Sequence, residues 1–183
     1  MKTNGGEALM FSREKKQDKK EEKIAEILCE KYNSYYRMAY SFVRNESDAE
    51  DIVQEGAYKA IKNSDSLKNI EYASTWVYRI MMNEIYRFTA GKKVLSLDDT
   101  LLQDSGCEDK YEDIDLKRAL KSMSNSDRAV IQLKYFEELK LDEIAKVLGE
   151  NVSTIKSRLY RGLKKLKVEL EKDDMKEEVK QNA

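Results

Sequence analysis

LDEIAKVLGENVSTIKSRLYRGLKKLK, residues 141–167, is the stretch whose reading decides the fold. Ile144, Ala145 and Leu148 recur at helical spacing and form the inner face of a first helix. Ala145 is small enough to let a second helix cross close by. Gly149 can take the left-handed conformation that ends a helix, and Ser153 is a good N-cap for the next one. Ile155, Leu159, Leu163 and Leu166 then line one face at spacings of four, four and three. The other face carries Thr154, Lys156, Ser157, Arg158, Tyr160 and Arg161, and Lys164, Lys165 and Lys167 extend its positive charge. This is the order of a helix-turn-helix running from Leu139 to Lys167. Such a motif lays the first turns of its second helix in the major groove. Arg and Lys there bind guanine edges or neutralise phosphates. A basic face alone would read as solvated surface, but the turn, the small residue and the apolar register together point to DNA binding.

Composition agrees with an all-helical fold. The 183 residues include no proline, seven glycines and no histidine, with 40% hydrophobic and 38% charged residues. Strands, tight hairpins and phosphate loops need turn residues that are scarce here. Without histidine there is no imidazole base, no His-containing zinc site and no histidine switch. Cys29 and Cys107 lie far apart and form no metal-binding pair, so no metal or cofactor is implied, and a reducing cytoplasm fits. No run of about 18 apolar residues exists to span a membrane. Net charge is −1, but its distribution is uneven. Val152–Lys167 holds six bases and no acid, whereas residues 98–115 hold eight acids and one lysine.

The chain therefore divides into two small helical domains joined by a flexible acidic linker. Residues 1–20 read as a disordered leader, 21–90 as the first domain, 91–112 as the linker, 113–172 as the second domain and 173–183 as a fraying charged tail. In the first domain, Ile24 to Phe42 reads as one amphipathic helix ending near Asn45. Ser47-Asp48-Ala49-Glu50 has the pattern of a capping box opening a second helix, whose inner stripe is Ala49, Ile52, Val53, Gly56, Ala60 and Ile61. Its outer face, Asp48, Asp51, Gln54, Glu55 and Tyr58, repels DNA and suits a basic protein surface or plain solvent. A polar loop, residues 63–71, leads to a third helix from Tyr72 to Phe88. There Val77, Ile80, Met81 and Ile85 point inward, while Arg79, Asn83 and Arg87 share another face. Aromatics interleaved with Arg and Asn suit unstacked bases. Trp76 reads as core or as a base platform, and Arg79 as a DNA contact or an ion-pair partner.

On these residues the chain resembles the sigma-70 family of bacterial RNA polymerase sigma factors, in its extracytoplasmic-function (ECF) subfamily. DAEDIVQEGAYKAI (residues 48–61), STWVYRIMMNEI (74–85) and LDEIAKVLGENVSTIKSRLYRGLKKL (141–166) follow the family's order and spacing over residues 24–168. The resemblance implies a non-enzymatic initiation factor that binds core polymerase through the β′ clamp helices and β flap. Asp48, Asp51, Gln54 and Glu55 would dock on the clamp helices. Lys68, Asn69, Ile70, Glu71 and Tyr72, with Trp76, Arg79, Asn83 and Arg87, would recognise and melt the −10 element. Thr154, Lys156, Ser157, Arg158, Tyr160, Arg161, Lys164 and Lys165 would read the −35 element. It also implies an anti-sigma factor, in this subfamily often membrane-anchored. Lys140 and Ser124 stand where the family usually has a Ser/Thr cap and a proline. The weaker cap is expected to cost ~1 kcal/mol at most. Two other readings are a dimeric helix-turn-helix regulator and a small helical nucleic-acid enzyme. The first has no need of the acidic and Arg/aromatic helices, and the second lacks histidine and a phosphate loop.

Overall fold

A computed structural model describes the backbone of residues 5–95, 120 and 123–181, and side chains within residues 16–168. The chain forms two compact units, Met1–Asp99 and Thr100–Ala183. Every regular element among the described residues is helical.

The first unit holds α1 (Gly5–Glu30), α2 (Tyr32–Val43), α3 (Glu46–Lys62) and α4 (Ala73–Leu95). One continuous helix was expected over Ile24–Phe42, and the structure breaks it at Lys31. The Lys31 N–H still donates to Ile27 O and its carbonyl still accepts from Tyr35 N, both at 3.0 Å, so the break is a kink. Its side chain is anchored at the kink: Lys31 Nζ lies 4.9 Å above the Tyr78 ring and 3.3 Å from the Tyr78 hydroxyl. The N-terminal residues also depart from expectation. The helix begins at Gly5, where a leader without structure was foreseen. With no proline and many Lys, Glu and Gln, this segment has strong helix formers, and Gln17 and Lys20 give it tertiary contacts.

The cap of α3 is Asn45, and not Ser47. Asn45 is extended (φ −138°, ψ 130°) and its Oδ1 accepts from Asp48 N at 2.9 Å, which starts the helix before the anticipated box. The inner stripe holds for Ala49, Ile52, Val53, Gly56 and Ala60, whereas Ile61 turns outward. Gly56 lets Met81 of α4 lie directly against the α3 backbone. From α4, Val77, Tyr78, Met81, Met82 and Ile85 are buried, and Ile80 is half-buried. Tyr78 also meets Tyr35 edge-to-face with ring centroids 5.0 Å apart. Burying such side chains contributes roughly 1.5–3 kcal/mol each. α4 continues to Leu95, so the start of the foreseen linker is helical. Residues 96–119, which hold the rest of that linker and the start of the second domain, lie outside the described residues.

The second unit holds α5 (Asn125–Ile131), α6 (Leu141–Leu148) and α7 (Val152–Gln181). Ser124 caps α5 by accepting from Asp127 N. The π-turn Gln132–Phe136 follows and shifts the register, which leaves Tyr135 and Phe136 about half exposed. At the head of α6, Glu143 accepts from the Lys140 amide at 2.8 Å, so half a capping box replaces the missing Ser or Thr. Gly149 ends α6 at φ +68°. The tail expected to fray remains helical to Gln181.

The inward register of α7 differs at one position. Ile155 is fully buried and Leu159 and Leu166 pack on the Leu120–Met123–Ile131 cluster. Between them Gly162 is buried, while Leu163 is 38% exposed. A Cβ at Gly162 would stand 3.0 Å from Ile131 Cγ1, so the glycine sets how closely α5 and α7 approach. Gly162→Val should lower the unfolding free energy by about 1–3 kcal/mol in denaturant titrations. Gly162→Ala should stay within about 1 kcal/mol of wild type, because its higher helix propensity offsets the tight contact.

Candidate nucleic-acid and protein interfaces

The loop after α3 has two buried anchors and one exposed run. Ser64 is 1% exposed and Leu67 2%, and they fix the chain as it leaves α3. Lys68, Asn69, Ile70, Glu71 and Tyr72 are then all exposed, with Ile70 at 42% and Tyr72 at 53%. Asn69 Oδ1 accepts from Glu71 N at 3.0 Å and caps a short 3-10 turn, Ile70–Tyr72, that leads into α4. The backbone here is ordered by its own side chain, and the apolar and aromatic tips are held in water.

Arg79, Asn83 and Arg87 are exposed along one face of α4, as their spacing required. Arg79 makes no ion pair among the described residues. Arg87 is already paired: its guanidinium meets Glu84 Oε2 at 2.6 Å. Trp76 is half-buried. Tyr78 belongs wholly to the core.

The acidic face of α3 borders α4 across an open groove of about 770 Å³, lined by Asp51, Ile52, Gln54, Glu55, Tyr58, Glu84, Arg87 and Phe88. Three of the four protein-docking candidates therefore share a concavity with a nucleic-acid candidate. Asp48 sits instead in the first turn of α3, outside the groove lining. Behind the groove Lys59 joins Glu55 at 3.1 Å and Glu84 at 2.7 Å. Burial pushes the Glu84 carboxyl up, but hydrogen bonds from Lys59 and Arg87 outweigh it and hold the group below its ordinary value. The Glu84 hydrogen bond chiefly raises Lys59.

In the second unit Lys156, Ser157 and Tyr160 are exposed at the start of α7, with Tyr160 at 74%. The cap of α7 is Asn151, where Ser153 was expected. Asn151 Oδ1 accepts from Thr154 N at 2.7 Å and from the Thr154 hydroxyl at 2.9 Å, so Thr154 is engaged in the cap. Arg158 binds Glu150 Oε1 of the turn at 2.7 Å, and its side chain is only 20% exposed.

Arg161 departs furthest from the sequence reading. It forms a two-pronged pair with the buried Asp127 of α5, with Nη2 and Nε donating at 2.7 and 3.0 Å. Burial raises the Asp127 carboxyl, but Arg161 and Ser124 hold it below its ordinary value. Arg161 therefore ties α7 to α5 and is not an unengaged DNA contact. Lys164 and Lys165 remain on the exposed side. Asp127, Glu84, Lys59 and Asn151 join these sites without having been expected there. Only Asn151, two residues after Gly149 and three before Thr154, carried a recognisable capping signal.

Among the described residues no cluster of acidic, Cys or His side chains could hold a metal, and no helix is long and apolar enough to cross a membrane. The Sigma-70 region 2 model matches residues 30–93, and the Sigma-70, region 4 model matches residues 113–166. This chain belongs to the sigma-70 family. RNA polymerase sigma factor SigV of Bacillus subtilis is 40% identical over 144 residues, covering 77% of this chain and 87% of SigV. The ECF RNA polymerase sigma factor SigW of the same organism is 31% identical over 182 residues, covering 88% and 97%. Among solved structures, the sigma factor RpoE of Bartonella quintana, crystallised with the anti-sigma factor NepR, is 26% identical. Its TM-score is 0.68, with 79% of this chain and 94% of that one covered. The protein is an ECF sigma factor, a promoter-specific initiation factor and not an enzyme.

Asp127 links this geometry to pH. A carboxyl whose folded value is depressed stabilises the fold above its unfolded value, and that stability is lost as pH falls through the folded one. Acid unfolding below about pH 4 should therefore be shallower in Asp127→Asn, which should also be less stable at pH 7. Circular dichroism against pH checks both.

Proposed function

We propose that the two units divide promoter recognition, with residues 21–90 serving core polymerase and the −10 element and residues 113–172 serving the −35 element. The single observation that carries this reading is the exposed run Lys68–Tyr72, standing on two buried anchors in the same unit as the acidic groove of α3. Asp51, Gln54 and Glu55 would dock on the β′ clamp helices, with Asp48 at the margin. Lys68 to Tyr72 would capture a flipped −10 base, and Arg79, Asn83 and Arg87 would follow the adjoining strand.

Lys156, Ser157 and Tyr160 would meet the −35 major groove first, and Lys164 and Lys165 would meet phosphates. Arg158 would reach DNA by exchanging Glu150 for a base or phosphate, and Thr154 and Arg161 would serve the helix itself. A β flap contact would complete the docking of the second unit. The RpoE structure contains an anti-sigma factor. We extend that kind of partner to this chain, and place the protein in the cytoplasm where polymerase acts.

Run-off transcription with purified core polymerase tests the whole reading. Promoter-specific initiation is expected. No initiation, together with binding of a palindromic duplex by the protein alone, would favour a dimeric regulator. Lys156→Ala and Arg158→Ala should each weaken −35 duplex binding by about fivefold to a hundredfold at fixed salt, with core affinity retained. Asp51→Lys/Glu55→Lys should do the reverse, measured by competition for core polymerase.

A further inference from the structure

The family match of the first unit begins at residue 30, yet helix α1 before that point is joined to the loop that follows α3. Gln17 Nε2 donates to Ser64 Oγ at 2.7 Å and to Glu21 Oε1 at 2.8 Å. Ser64 Oγ in turn donates to Glu21 Oε1 at 3.2 Å, which closes a ring of three side chains. Next along the loop, Lys20 Nζ donates to the Asp65 carbonyl at 3.1 Å. Two successive loop residues are thus held by side chains 43 to 47 positions away.

Ser64 is 1% exposed, so its hydroxyl has little access to water and depends on these partners. Leu67, buried to 2%, is the second fixed point. A loop pinned at one residue can still swing about it. Pinning at Ser64 and again at Leu67 fixes both the origin and the direction of the exposed run Lys68–Tyr72. A preset loop loses less conformational freedom when it takes up a ligand.

We propose that Gln17, Lys20 and Glu21 form a brace that presets the 68–72 loop for capture of an unstacked base. They are positioning residues that act through Ser64 and Asp65. The proposal rests on the assignment of that loop to the −10 element. The charged segment ahead of the family match then has a task in strand opening.

The test uses full-length protein in holoenzyme with core polymerase on a linear promoter. Permanganate reactivity of the −10 thymines reads strand opening, with core affinity and −35 duplex binding measured in parallel. Gln17→Met keeps the side-chain stem and removes the amide. It should lower opening about fivefold, the effect of leaving the buried Ser64 hydroxyl one hydrogen-bond partner short, and leave the other two readouts within about twofold. Adding Ser64→Ala to Gln17→Met should lower opening little further, because the ring is already open. Wild-type opening in Gln17→Met overturns the brace if Lys68→Ala/Asn69→Ala/Ile70→Ala is defective. Wild-type opening in that triple variant overturns the loop assignment itself. A parallel fall in core affinity with Gln17→Met overturns the brace in favour of general packing.

Discussion

Glu84 and Asp127 are the acidic side chains most deeply buried among the described residues, and each unit is arranged around the need to pair one of them. A carboxylate taken out of water must find cationic or N–H partners or lose its charge. Glu84 finds Lys59 from α3 and Arg87 from its own helix, so α3 and α4 are joined across their packed faces. Asp127 finds Arg161 from α7, which joins α7 to α5. In both cases the apolar seam brings the helices together and the ion pair selects their register. At Gly56 and Gly162 the missing Cβ leaves room for Met81 and Ile131 side chains to pack against the facing helix. Each pair has one arm in water, with the Arg87 side chain 63% and the Arg161 side chain 61% exposed, so solvent screens part of the attraction. Each is therefore better regarded as a device of geometry than as a large source of stability.

The fold was legible wherever one local rule acted alone. Gly149 ended α6 at a positive φ, the inner stripe of α3 lay where a period of 3.6 put it, and Arg79, Asn83 and Arg87 emerged on one face. The errors lie where two rules competed. Ser47 and Ser153 had the right chemistry for caps, but Asn45 and Asn151 stood two residues earlier with the same chemistry and took the role. Leu163 suited an apolar stripe by composition. The close crossing against Ile131 needed the smaller Gly162 instead, and a crossing distance has no trace in one helix's periodicity.

The candidate sites divide in the same way. Charge and exposure could be read from sequence, but partners could not, because Asp127 and Arg161 lie 34 positions apart. Hence a basic helix face that looked uniform is in fact graded. Lys156 and Tyr160 are presented to solvent, Arg158 is tied to the turn by Glu150, and Arg161 is committed to Asp127. Under the proposed −35 role, the engagement of Arg161 removes one cation that could release counterions from DNA, and Arg158 must first give up Glu150, so the unit's affinity for duplex taken alone would be lowered. A factor held on the promoter by a polymerase gains from this. Weak intrinsic binding would limit sequestration on nonspecific DNA while the combined contacts of the two units would still suffice on a promoter.

The first unit follows a complementary logic. The acids proposed to face the polymerase and the cation proposed to face DNA meet in one line of charges, Glu55–Lys59–Glu84–Arg87, with steps of 3.1, 2.7 and 2.6 Å. Lys59 and Arg87 hold different oxygens of Glu84, so the line is linked through one carboxylate. Lys59 divides its charge between Glu55 and Glu84, and Glu84 divides its own between Lys59 and Arg87. A basic surface that takes Glu55 leaves Lys59 more fully to Glu84, which lessens the hold of Glu84 on Arg87. The Arg87 guanidinium is then more available to a phosphate. The coupling also runs backwards, as thermodynamic reciprocity requires. A phosphate on Arg87 leaves Glu84 more dependent on Lys59, and Glu55 becomes the more open to a basic partner. On the proposed roles, two opposite partners around one buried carboxylate would each aid the other.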